Sequence, residues 1–474
     1  MNRKVTLLYI SLACVLSLQA QTRQQMGGVY YAYPEGPSAK TGTFGTATYV
    51  LSDSLNVPQG YAPFYISHYG RHGSRWMPKD DRYVWICKHF EDESNLTPLG
   101  LQVKGMLQRV WENARGNGGK LSKLGALQHQ GIAHRMFERY PQIFAAGNAV
   151  KARSSVVDRC AKSMQAFTSK LHTLQSGLNL DVKTDSADMA WIAYVSPEVK
   201  ALENRTHVQA QVSPRRFLLQ LFKDVSKVDE PLKLMTEMHT VASSIQDVGL
   251  NFSSYPQDIE DGLNALFTDD EFRAIYEANN LRMAINNGTV ATNEDIPARS
   301  AISLWQNIEA EADRALRSVK SSATLRFGHD TALYRLLSLL FDVNVPPAGA
   351  REEASLVVLG DETEKMDRVV PMAANLQMIF YKNAKDSVLV KFMLNERDIM
   401  LSPVGQVIYG THYYSWNAWK QEMHERIHRL EHIRQLNAIN TMVGTAQANT
   451  QTAGMFGKGS EEHGQTIPCL LYTS

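Results

Sequence analysis

The sequence predicts an α/β protein: a three-layer sandwich with a mixed, mostly parallel sheet and a mainly helical cap inserted in its middle. Two observations carry this. Strand-like and helix-like segments alternate near both ends of the chain, as they do when a sheet is built from βα units. Between them, from about residue 213 to 319, the strand signal disappears and long amphipathic stretches follow one another.

In chain order, Met1-Asn-Arg-Lys followed by the apolar run Val5 to Leu18 and Ala20 has the layout of a secretory signal over residues 1–20, too short to span a bilayer. Ser11-Leu12-Ala13-Cys14 offers a lipoprotein cleavage site as an alternative, against which the apolar run continues past Cys14. Pro63 to His68 is aromatic and β-branched and reads as a buried strand, with a glycine-containing loop from Tyr69 to Ser74. A helix is expected over Leu121 to Tyr140, a short strand over Ala149 to Val157 and a helix over Asp158 to Leu171. The insertion is expected to hold helices at Arg215 to Phe222, Glu230 to Val248, Asp269 to Ala284 and Ser300 to Val319. Strands return at Ala323 to Phe327, Gln377 to Tyr381 and Ser387 to Leu394, with a helix at Thr331 to Phe341, and Trp416 to Leu436 reads as a charged amphipathic helix. The expected organisation is therefore an α/β core from residues 26–175 and 320–436 with a helical cap at 176–319.

Composition sets further bounds. A chain of 474 residues with 20% charged residues and a formal net charge of +1 is that of a globular protein whose anion recognition must be local. Nothing global points to nucleic acid or a membrane surface. Four cysteines are too few for a disulfide framework or a zinc site, so the core must hold the fold. Export with few cysteines suggests the periplasm or cell surface of a Gram-negative bacterium.

Chemistry concentrates in three places. Arg71-His72-Gly73-Ser74-Arg75 sets two arginines around a histidine. Phosphoryl transfer needs positioning and fixed positive charge on the equatorial oxygens, which planar guanidinium groups supply, and neutral imidazole is a competent nucleophile. A basic loop facing solvent is the plainer explanation for any one of these residues. With ordinary residue usage, though, Arg-His-Gly-x-Arg arises by chance in roughly one chain of several hundred. The second place is Lys151 to Ser163, with Arg153 and Arg159. The third is Leu325-Arg-Phe-Gly-His329-Asp330-Thr331, where a strand meets a helix and Asp330 is placed to cap it.

Taken together, these segments resemble the histidine phosphatase superfamily, specifically its acid phosphatase and phytase branch, over about residues 61–435. The resemblance implies that His72 is the nucleophile and becomes transiently phosphorylated. It implies that Arg71, Arg75, Arg159 and His329 bind the phosphate, and that Asp330 protonates the leaving alcohol. Arg153 takes an accompanying, structural position. No metal or other cofactor is required by this chemistry, and the partner is a small phosphomonoester. In the family a proline usually stands two residues after the second arginine; here it is Pro78, after Trp76-Met77, which bears on loop shape more than on chemistry. The run Leu121 to Gly125, His129 and Arg139-Tyr140-Pro141 is similar to the family segment preceding the third arginine, and His129 and His134 read most simply as core or helix-surface histidines.

The branch's inositol polyphosphate phosphatases usually carry His-Ala-Glu where this chain has His329-Asp330, a pair typical of phytases and acid phosphatases. Phytate and other inositol phosphates lead as substrates, with sugar phosphates close behind. A phosphoglycerate mutase-like activity uses the same Arg-His-Gly chemistry, but the secretion signal and the helical insertion argue against it. A non-catalytic phosphate- or glycan-binding module is a third reading, against which all six expected polar residues are present. Downstream, Asn440 to Thr445 and Gly457 to Pro468 look like the opening of calcium-dependent exo-α-mannosidases, so residues 437–468 are either a linker or the start of a second domain. In the latter case phosphorylated mannans become a substrate class. Codons for Cys469 to Ser474 can be written as a sequencing-library adapter, and these six residues are expected to be an artefact beyond which the natural chain continues.

Overall fold

A computed structural model describes residues 22–33, 41–44, 47–50, 57–250, 262–288, 290, 293–318, 320–340, 366–399 and 413–455. The expected signal segment, residues 456–468 of the downstream region and the six terminal residues lie outside these. The chain forms two compact units, residues 1–423 and 424–474.

The first unit is built on an eight-stranded mixed sheet. The strands are β1 (Thr41–Phe44), β2 (Ala47–Val50), β3 (Tyr61–Arg71), β4 (Ala149–Ser154), β5 (Asn179–Thr184), β6 (Ser321–Gly328), β7 (Asn375–Asn383), β8 (Val388–Leu394), β9 (Arg397–Ile399) and β10 (Tyr414–Ser415). β1 and β2 form a separate antiparallel pair. The large sheet runs β10-β8-β7-β3-β6-β4-β5, with β9 paired to β8. β3, β6, β4 and β5 are parallel neighbours, while β7 is antiparallel to both β3 and β8. Five of the eight strands (β3, β4, β5, β6, β8) therefore point the same way.

Helices of nine residues or more are α1 (Asp80–Lys88), α2 (Pro98–Ala114), α3 (Lys123–Arg139), α4 (Asp158–Leu174), α5 (Pro197–Arg205), α6 (Pro231–Val248), α7 (Asp269–Asn287), α8 (Ile302–Leu316), α9 (Asp330–Leu340) and α10 (Trp416–Met455). One face of the sheet, with Ile66, Ala152, Leu325 and Phe327, packs on Ile132 and Met136 of α3 and Met164, Phe167 and Leu171 of α4. The opposite face carries α8 and α9. Burying a parallel sheet on both faces is what its near-continuous apolar strands require.

The sheet extends further than sequence patterning indicated. β3 continues through Tyr69 to Arg71 rather than ending at His68, because its last residues are paired on both sides. β5, at residues 179–184, joins the sheet although the cap was expected to begin at 176. Leu180 and Val182 alternate with Asn179, Asp181 and Lys183, but five of its six residues are exposed at the sheet edge. The second apolar cluster is likewise assembled from two stretches of chain: Met77, Tyr83, Ile86, Val103 and Met106, and Phe217, Leu234, Met238, Phe267 and Phe272. Thus α1 and α2, which precede the insertion, pack with its helices.

The second unit, among the described residues, is the continuation of α10. That helix runs to Met455 instead of stopping near Leu436, and no proline interrupts the stretch. Residues 437–455 are therefore helical. No helix among the described residues is long and apolar enough to cross a membrane.

Candidate active site

Strand register assembles the site. Arg71, the last residue of β3, lies opposite Gly328, the last of β6, so His72 and His329 leave the sheet side by side. The His72 N–H donates to the Gly328 carbonyl at 3.0 Å, and the two imidazole rings sit 5.8 Å apart, nearly perpendicular. On the other side of β6, Ser154 of β4 pairs with Phe327, and the next turn opens α4, whose first turn presents Arg159. Three adjacent parallel strands thus deliver Arg71-His72, His329-Asp330 and Arg159 at their carboxyl ends, where open α/β sheets bind ligands.

The loop after β3 is held by close backbone contact. A Cβ at Gly73 would meet the Gly125 carbonyl oxygen at 2.4 Å, and one at Gly125 would meet the Ser74 carbonyl oxygen at 2.3 Å. The lack of a side chain at Gly73 lets the loop pack directly on the start of α3. The Gly73 N–H donates to Ser163 Oγ (3.1 Å) and the Ser74 N–H to Gln128 Oε1 (2.9 Å). At β6, a Cβ on Gly328 would overlap the Tyr69 hydroxyl, so Gly328 is needed where β3 and β6 converge.

His72 is 1% exposed, and its Nδ1 lies 2.9 Å from the Gly73 carbonyl. A carbonyl can only accept, so Nδ1 carries the proton and Nε2 keeps its lone pair. Burial, and then the charges of Arg71, Arg75, Arg159 and His329, hold the ring well below the usual histidine range. The neutral form is favoured. His329 is pushed down to about 4 by burial and by Arg159, and its Nε2 lies 3.1 Å from Ser155 Oγ.

Arg71 is wholly buried. Its Nη1 donates to the Val29 and Val370 carbonyls, at 2.7 and 2.6 Å, while Nη2 lies 3.1 Å from Asp330 Oδ2. Arg75 donates to the Trp76 carbonyl and stands 5.3 Å above the Tyr30 ring. The Nε–H groups of Arg71, Arg75 and Arg159 are buried without a hydrogen-bond partner among the described residues. Buried donors of this kind are costly unless something accepts from them, and a tetrahedral oxyanion would do so. Asp330 opens α9 and accepts the Thr331 N–H at 2.9 Å. Burial pushes its carboxyl up, but Arg71, Arg75 and His329 outweigh that and leave it below the usual range.

All six predicted site residues thus meet at one place. Arg153 turns instead to the sheet edge, where it binds the Asp181 carboxylate at 2.6 Å. His129 is a core residue, 1% exposed, beside Phe327. Patterning missed Tyr30, Gln128, Ser163 and Asp247, which reach the loop from distant segments and sit in no recognisable motif. It also missed the adjoining cleft of about 240 Å³, lined by Asp330 with Tyr30, Arg82, Asn279, Arg282 and Asn286 among others.

No protein-family model matches the chain. Among curated proteins it is similar to chicken (Gallus gallus) multiple inositol polyphosphate phosphatase 1, 22% identical over 338 residues, 68% of this chain and 73% of that protein. Among solved structures, the Bifidobacterium longum multiple inositol polyphosphate phosphatase in complex with inositol hexasulfate aligns with a TM-score of 0.62 at 16% identity. It covers 84% of this chain and 97% of that one. The phytase of D. castellii aligns with a TM-score of 0.58 at 13% identity, covering 87% and 88%. Fold and motif placement together match those of histidine phosphatases. The chain has the α/β fold with a helical cap that these histidine acid phosphatases share.

Proposed function

We propose that this protein hydrolyses phosphomonoesters through a phosphohistidine, with inositol polyphosphates such as phytate as leading substrates and sugar phosphates as the second class. The observation carrying this is the convergence of His72 Nε2 with Arg71, Arg75, Arg159, His329 and Asp330 at neighbouring strand ends. Nε2 attacks phosphorus in line, forming an N–P bond as the P–O bond to the alcohol breaks. The arginines and His329 stabilise the equatorial oxygens, and Asp330 gives the leaving oxygen its proton. Water then attacks the phosphohistidine, losing a proton to Asp330, and inorganic phosphate departs.

Asp330 beside Arg71 and Arg75 favours the carboxylate, whereas a general acid must hold a proton. An incoming phosphoryl group neutralises the arginines and brings negative charge beside the carboxyl, both of which raise its affinity for a proton. Substrate binding and acid function are thereby linked.

Hydrolysis is favoured over a non-catalytic module because an oriented nucleophile accompanies the anion-binding groups. Export to the periplasm or cell surface is supported by the layout of residues 1–20. The test is phosphate release from a panel including phytate, mannose 6-phosphate and p-nitrophenyl phosphate. His72→Ala is expected to abolish release from all of them, and quenched wild type to carry an acid-labile, alkali-stable phosphoryl group. Near-normal hydrolysis by His72→Ala would defeat the mechanism.

A further inference from the structure

We propose that Asp247, at the end of α6, is a positioning residue for phosphate binding, its carboxyl clamping Ser74 and through it the loop that carries His72 and Arg75. The clamp is built on both sides of Ser74. Ser74 Oγ donates to Asp247 Oδ1 at 2.6 Å and accepts from Gln128 Nε2 at 2.9 Å. The Ser74 carbonyl accepts from the Ser122 N–H at 2.8 Å, and Ser122 Oγ donates to the Asp247 carbonyl at 2.7 Å. Ser74 and Asp247 are both wholly buried. A residue of the helical insertion thus closes a hydrogen-bonded ring around the centre of the Arg-His-Gly-Ser-Arg loop.

The geometry also sets the charge of the clamp. Asp247 makes no ion pair among the described residues, and its Oδ2 is buried with no hydrogen-bond partner among them. An ionised carboxylate so placed would have one oxygen unsolvated, whereas the neutral acid carries its proton there. Burial accordingly pushes this carboxyl up to about 8, against the opposing pull of Ser74, Arg75 and Arg71, which are the groups facing it. A neutral Asp247 leaves the charge of Arg71 and Arg75 for the anion. Once ionised, it competes with the anion for those guanidinium groups.

The proposal rests on the phosphate-site reading, and sulfate, which does not titrate above pH 6, tests the two separately. Sulfate affinity is measured by calorimetry from pH 6 to 9.5 on wild type, Asp247→Asn and Ser74→Ala, with thermal melts to verify folding. Asn keeps the acceptor oxygen but cannot ionise. Wild type is expected to weaken by about tenfold more than Asp247→Asn as pH rises from 7 to 9.5. Ser74→Ala is expected to bind sulfate more weakly at every pH. Identical pH dependence in wild type and Asp247→Asn, or full affinity in Ser74→Ala, overturns the positioning role and leaves the phosphate site standing. Wild type that binds no sulfate at any pH overturns both.

Discussion

At the residue scale, two groups with opposite tasks share one set of arginines. Burial, and then the charges of Arg71 and Arg75, favour the neutral form of His72 that the proposed nucleophile requires, yet the same charges hold protons off Asp330. Both carboxyl and imidazole are depressed, for different reasons: the ring because burial and then neighbouring cations disfavour its charged form, the carboxyl because those cations stabilise its anion. The working state needs a neutral ring and a protonated acid, which calls for an acidic optimum. With Asp330→Asn, kcat is expected to fall by about 10²–10³ for alkyl phosphates such as glycerol phosphate, and by less than about tenfold for p-nitrophenyl phosphate. The alkaline limb of the kcat profile should flatten in the same variant. Equal losses on the two substrates would remove Asp330 from the proton-donor role.

Elements, rather than single residues, determine whether the loop can form. α3 begins under the backbone of Gly73 and Ser74, with Ser122 as its N-cap accepting the Gly125 N–H. There is no room for a methyl group in that contact, because the nearest atoms are backbone rather than a side chain that could turn aside. Gly73→Ala is expected to cost about 1–3 kcal/mol of stability as loop and helix separate, and to reduce kcat/KM by displacing His72 and Arg75. Denaturant titration and p-nitrophenyl phosphate kinetics on the same preparation check this; unchanged values would mean that the contact is looser than described.

The whole molecule must tolerate the acid in which its site works, and buried titratable groups oppose this. His68, His129 and His239 are each 1–2% exposed and pushed down to about 3 by burial. The unfolded chain takes up protons on these rings near pH 6.5 and the folded chain does not. Their contribution is thus present above pH 6.5 and lost as pH falls toward 3. Asp247, raised to about 8, has the opposite sign: its contribution is full below about pH 4 and is lost as pH rises through 8. The three histidines, together with the depressed His72 and His329, outweigh Asp247, so acid destabilises. The urea midpoint is expected to fall steadily from pH 7 to pH 4, and His129→Phe should shallow that slope; a midpoint independent of pH would contradict it.

Much of this was legible in one sequence. Arg71, His72 and Arg75 are adjacent in the chain, so a short motif carries them, and His329-Asp330 sits at a strand–helix junction that patterning locates well. Their meeting with Arg159 is implied by family resemblance, but it is produced by register: Arg71 opposite Gly328, and Ser154 opposite Phe327. What no local pattern could supply is the support around them. Tyr30 beneath Arg75, and Gln128 and Asp247 around Ser74, depend on contacts between residues far apart in sequence. Chemistry that needs neighbouring residues is written locally, whereas the positioning of those residues is a property of packing, and only the folded chain decides it.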